Sequence, residues 1–129
     1  MNALEQAIEK ALHSEGENKA ANKAYLEFIK ANFIIPIQQE STPEAPKVLF
    51  LQEGEHTFLP VFTSMDYLAN WAQDIADNIQ ILELTGVNLL KGIGDNVTIC
   101  LNINSPIYKE FNPAETARMR SMVLKLWRD

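Results

Sequence analysis

The chain has a single cysteine, Cys100, among 129 residues. No internal disulfide can staple the fold, so its stability has to come from a packed core, and a lone thiol fits a reducing compartment. No apolar run approaches the roughly 20 residues needed to span a bilayer. The opening MNALEQAIEKAL is polar and acidic, where a signal peptide is basic and then continuously apolar. The expected setting is therefore the cytoplasm, away from membranes. Basic residues are also scarce: 11 Lys and Arg against 17 Asp and Glu give a formal charge of −6, a field that repels nucleic acid. The basic cluster at the end, Arg118, Arg120, Lys125 and Arg128, is too small to reverse that expectation. Repeats and low-complexity tracts are absent, which excludes solenoids and disordered linkers.

What is present is an apolar fraction of 47% with 22% charged residues, the balance of an ordinary globular protein. The length fits one domain over residues 1–129, large enough to bury roughly 65–70% of its unfolded surface. Asn2 and Glu5 have the spacing of a capping box, and Leu4, Ile8, Ala11 and Leu12 follow at helical spacing, so the first helix is expected over about residues 3–13. Ser14, Glu15 and Gly16 interrupt it, and the stripe Ala21, Ala24, Tyr25, Phe28 and Ile29 predicts a second helix over about 17–31, completing a helical hairpin. Short β-branched runs at 33–38, 48–51, 57–62, 79–84, 97–102 and 107–111 predict strands. Pro36 suggests an edge position for the first. Gly54 sits in the turn of a hairpin joining the second and third. Helices are expected at about 64–75, 85–91 and from Asn112-Pro113 to Trp127. The class is mixed α+β: an N-terminal helical hairpin, a mixed sheet of five to six strands with packed helices, and a C-terminal helix.

Three phrases stand out once those segments are laid down: ALEQAIEKA, PVFTSMDYL at a strand-to-helix junction, and LNINSPIYKEFNPAE. With Leu101-Asn102, Lys109-Glu110-Phe111 and Pro113 in place, they make the chain resemble the N-terminal domain of the SseB (enhanced serine sensitivity) family over about residues 3–123. The resemblance implies a bacterial α/β domain with no reaction, cofactor or catalytic residue to carry over. Longer members of that family continue into a further C-terminal domain.

The candidate sites follow from residue chemistry. Thr63 and Ser64 stand where hydroxyls cap the first amides of a helix, with Asp66 in its first turn. No glycines flank Ser64 to form a nucleophile elbow, and no glycine-rich loop cradles phosphate. Glu53, Glu55 and His56 share one turn without a second group at metal-ligand spacing, and His13, His56 and Cys100 form no readable catalytic set. Catalytic, cofactor and metal sites are therefore expected to be absent. Asn102, Asn104, Lys109 and Glu110 surround a strand end and form the candidate polar pocket. Met119, Met122 and Trp127 near the chain end form a candidate partner surface, with a homodimer as one use of it. The expected function is a non-enzymatic protein-binding or regulatory module. A small acidic secretion-type chaperone, and a metabolite sensor or enzyme linked to amino-acid metabolism, are the alternatives.

Overall fold

Asn2 and Glu5 make the exchange that their spacing predicts. Glu5 N–H donates to Asn2 Oδ1 at 2.8 Å and Asn2 N–H donates to Glu5 Oε1 at 2.8 Å. The computed structural model describes residues 2–13, 18–42 and 44–126. Helix α1 (Ala3–His13) buries Leu4, Ala7 and Ile8 against α2 (Asn18–Lys30), which offers Ala24, Tyr25, Phe28 and Ile29 in return. The expected break at Ser14, Glu15 and Gly16 and the expected start at Glu17 lie outside the described residues.

Among the described residues six strands follow, divided between two sheets. Strand β1 (Asn32–Gln38) pairs antiparallel with β4 (Ile79–Thr85), Ile35 opposite Leu82. The other sheet runs β2 (Leu51–Glu53), β3 (His56–Val61), β5 (Val97–Leu101), β6 (Lys109–Phe111) in that order. Its central pair, β3 and β5, is parallel and the two outer pairs are antiparallel. Gly54 takes a φ of 63° in the β2–β3 turn, where a side chain would be strained.

The sheets touch through single bridges. Ile34 N–H donates to Phe62 C=O at 2.8 Å and Phe62 N–H donates back at 2.9 Å, while Leu49 N–H reaches Pro36 C=O at 3.2 Å. Pro36 has no N–H to return on that side, so a continuous ladder cannot form there. The one sheet expected from the sequence is thus two. Pro36 itself is buried, and its missing donor faces away from β4, which explains how a proline sits inside a paired strand.

Side chains alternate along β1. Phe33 and Ile35 enter the main core, where Phe28 stacks at tilted angles on Phe33 and Phe111 with ring centroids 4.5 and 5.0 Å apart, and Ile37 is buried on the same face. Ile34 faces the other way, onto a smaller cluster of Phe62, Leu68, Ala72 and Trp71 built on α3 (Met65–Trp71). That helix ends short of residue 75, and a single 3₁₀ turn, Ala76–Asn78, leads into β4. Helix α4 (Gly86–Gly92) buries Leu89 and Leu90. Helix α5 (Pro113–Leu126) packs on α2, α4 and β5.

Packing of α5 removes Met119 from the proposed partner surface. Met119 is fully buried in the main core, Val123 nearly so, and Met122 is packed against it, so this stripe closes the domain on itself. Trp127 lies outside the described residues.

Candidate functional site

Thr63 and Ser64 have separate tasks. Ser64, extended at φ −149° and ψ 158°, is the N-cap of α3 and accepts from Tyr67 N–H at 3.3 Å. Thr63 is not a cap, which corrects its expected role. Its hydroxyl donates to Glu5 Oε2 at 2.6 Å, and its N–H donates to Asn102 Oδ1 at 3.0 Å. Asn102 Nδ2 donates to Thr63 Oγ1 at 3.1 Å, so the hinge is tied to α1 and to the end of β5. Replacing Ser64 with alanine is expected to cost about 0.5–2 kcal/mol in denaturant unfolding, and aspartate should restore most of it, since a carboxylate accepts the same amides and favours the helix's positive end. Failure of the aspartate to rescue would show that Ser64 does something other than cap.

The polar pocket expected around Asn102, Asn104, Lys109 and Glu110 does not assemble. Asn102 is fully buried and turned to Thr63. Asn104 is exposed at a φ of 69°. Lys109 and Glu110 are consecutive on β6 and point to opposite faces: Lys109 pairs with Glu115 at 3.2 Å, whereas Glu110 accepts from the Tyr108 hydroxyl. Glu115 also accepts from the Tyr25 hydroxyl at 2.8 Å. Burial, helped by that carboxylate, pushes the Tyr25 phenol up to about 12.

Cys100 is buried, and burial pushes its thiol up from the ordinary cysteine range, away from the reactive thiolate. Its polar neighbour is the Tyr108 hydroxyl at 3.7 Å. His13 Nδ1 lies 2.8 Å from Glu9 C=O, and His56 lies beside Phe58 in the β2–β3 hairpin. Among the described residues no three His, Cys, Asp or Glu are grouped to hold a metal ion, and no helix is long and apolar enough to cross a membrane.

Two residues of the basic cluster, Arg118 and Arg120, are committed as well. Arg120 donates from Nε to Leu90 C=O at 2.9 Å and from Nη2 to the carbonyls of Ile93 and Gly94, each at 3.2 Å. It closes the C-terminal end of α4, where cations are favoured. Arg118 lies over the Tyr25 ring, 6.0 Å from its centroid, and Arg128 is outside the described residues.

One of the open concavities is apolar. A groove of about 270 Å³ runs between the β1–β4 ribbon, the segment before β2, and α4, lined by Ile35, Val48, Phe50, Leu82, Leu84 and Leu89. Phe50 keeps 45% of its surface exposed, a large aromatic with one side on the groove and the other in solvent. Leu82 and Leu84 are half-buried. Strand β4 is at the same time an edge, since among the described residues its one strand partner is β1, and Ile81 on its opposite face is 42% exposed. Sequence reasoning missed both features. A run with apolar residues on both faces reads as an interior strand, and the groove draws on segments scattered from residue 35 to residue 93.

An α+β domain in which Glu5, Thr63, Ser64, Asn102, Glu115 and Arg120 cap helices or tie elements together, with one open groove that is apolar, is the class that this architecture defines. The model of the SseB protein N-terminal domain matches residues 4–118, and the chain belongs to that family. No curated protein and no solved structure matches the chain.

Proposed function

We propose that this domain is a non-enzymatic protein-binding module, and that the groove beside Phe50 is where it receives apolar side chains of its partner. The observation that supports this reading is the groove itself: an apolar concavity with a half-exposed aromatic on its lining. Exposed aromatics in apolar settings are the side chains that anchor protein interfaces. The polar groups fit the same reading. The hydroxyl of Thr63, the carboxylates of Glu5 and Glu115 and the guanidinium of Arg120 each hold hydrogen bonds that tie elements of the fold together.

The test is selection of peptides from a displayed random library against the folded protein, followed by mapping of amide shifts. Selected peptides should perturb the walls of the groove. Replacing Phe50 with aspartate should weaken them at least tenfold, the order expected for losing an aromatic anchor. The unfolding midpoint should stay close to wild type, because much of the Phe50 ring is already in water. Peptides that bind equally well to the Phe50→Asp variant and shift residues elsewhere would overturn the reading.

A further inference from the structure

We propose that the partner segment is an extended strand, alternating basic and apolar side chains, that adds to the free edge of β4. This rests on the protein-binding reading and names the chemistry of what binds. The first support is the direction of the backbone groups. Ile34 exchanges its N–H and C=O with Phe62, on the side of β1 away from β4. Alternation then places Phe33, Ile35 and Ile37 toward β4, hydrogen-bonded to Leu84, Leu82 and Gln80. The N–H and C=O groups of Ile79, Ile81 and Glu83 therefore point outward, and no partner is found for them among the described residues. An edge of this kind is a template for another strand.

The second support is the groove. Leu82 and Leu84 share one face of β4 and form part of its wall, so alternate side chains of an added strand lie along the same apolar surface. The opposite face carries the half-exposed Ile81.

Charge decides the chemistry of the strand. From residue 31 to residue 90, which includes both strands of the ribbon, the sequence holds eight acidic residues and one base, Lys47. The remaining parts of the chain hold nine acids and ten bases. The formal charge of −6 is thus concentrated on the central portion, with Glu83 on the edge itself and Asp77 just before it, both exposed. A second copy would bring one acidic edge against another, which opposes pairing. A basic strand is steered toward it.

The experiment uses the full chain and three short synthetic peptides: one alternating lysine and valine, one alternating glutamate and valine, and the lysine–valine peptide N-methylated at alternate residues so that one edge lacks donors. The lysine–valine peptide should bind with a strong salt dependence and slow hydrogen exchange at the amides of Ile79, Ile81 and Glu83. The N-methylated form should lose binding. Ile81→Pro removes an outward donor without touching the ladder to β1 and should weaken binding about fivefold or more. Glu83→Lys should weaken it and flatten the salt dependence even if the proline variant folds poorly. Equal binding of the glutamate–valine peptide, binding that leaves those three amides unprotected, or a wild-type dimer in sedimentation that Ile81→Pro abolishes would each overturn the proposal. If the lysine–valine peptide fails while Phe50-sensitive library peptides bind, the strand chemistry is wrong and the protein-binding reading stands. If neither binds, both fall.

Discussion

Replacing Gly86 with alanine is expected to destabilise the domain by about 3 kcal/mol, at the upper end of the range for overpacking. The first residue of α4 passes so close to the end of α2 that an added Cβ would lie 2.1 Å from Phe28 C=O and 2.7 Å from Ile29 C=O. These are main-chain atoms, so no rotamer change can relieve the contact. The approach is held by a hydrogen bond from Gly86 N–H to Ala31 C=O at 2.8 Å, and α4 would have to lift, pulling Leu89 and Leu90 from the core. At roughly 3–5 °C per kcal/mol for a chain of this size, the melting temperature should fall about 10 °C or more. The other end of the same helix provides the control. A Cβ on Gly92 meets nothing within 4 Å, and alanine there restricts the unfolded chain, so Gly92→Ala should be neutral or stabilise by about 0.4–1 kcal/mol. Opposite signs at two glycines of one helix would establish the close approach; equal, small effects would refute it.

That contrast marks where the sequence is legible. Gly54 in its turn and Gly92 after an apolar stretch are local features, readable from their neighbours, but the requirement at Gly86 comes from α2, more than fifty residues earlier. The two Asn-x-x-Glu boxes behave alike. Asn2 with Glu5 and Asn112 with Glu115 are visible as helix starts because each exchange is local. The second oxygen of each glutamate goes to a distant partner, Thr63 in one case and Tyr25 in the other, and no spacing rule reveals those. Met119 illustrates the reverse error. Its stripe was visible, but closeness to the chain end argued for a partner surface, whereas contact with α2, α4 and β5 makes it core. The strand positions were readable from composition, yet the division into two sheets depended on which side of β1 the missing N–H of Pro36 would fall. The groove and the free edge were hidden for the same reason, because a strand's neighbours, unlike its residues, are a property of the whole fold.

Asn102 carries the second large expected effect. It is fully buried at a φ of 57°, a conformation asparagine tolerates better than most residues. Its own N–H donates to Val61 C=O at 2.8 Å while its side chain holds Thr63. Asn102→Ala therefore loses twice: about 1–2 kcal/mol for a left-handed alanine and about 1–3 kcal/mol for the part-buried Thr63 N–H left without its acceptor. A total of about 2–5 kcal/mol is expected from denaturant unfolding. Asn102→Gly removes the backbone part and should fall between alanine and wild type, which separates the two terms. Asn102→Asp keeps the acceptor for Thr63 N–H and the tolerance of positive φ, but converts the Nδ2 donor into an oxygen and sets a second carboxylate near Glu5, with the single proton of the Thr63 hydroxyl between them. Two buried carboxylates at such a site raise the affinity for one proton, so the introduced aspartate should titrate above its unfolded value of about 3.9. The sign follows: the unfolded state releases that proton first, so the penalty is full at pH 7 and shrinks as pH falls toward the unfolded value. Stability of Asn102→Asp relative to wild type should thus rise on acidification from pH 7 to pH 5. A difference that stays flat across that window would mean that residue 102 and Glu5 do not share the Thr63 hydroxyl, and that the hinge between β3 and α3 is held by its backbone alone.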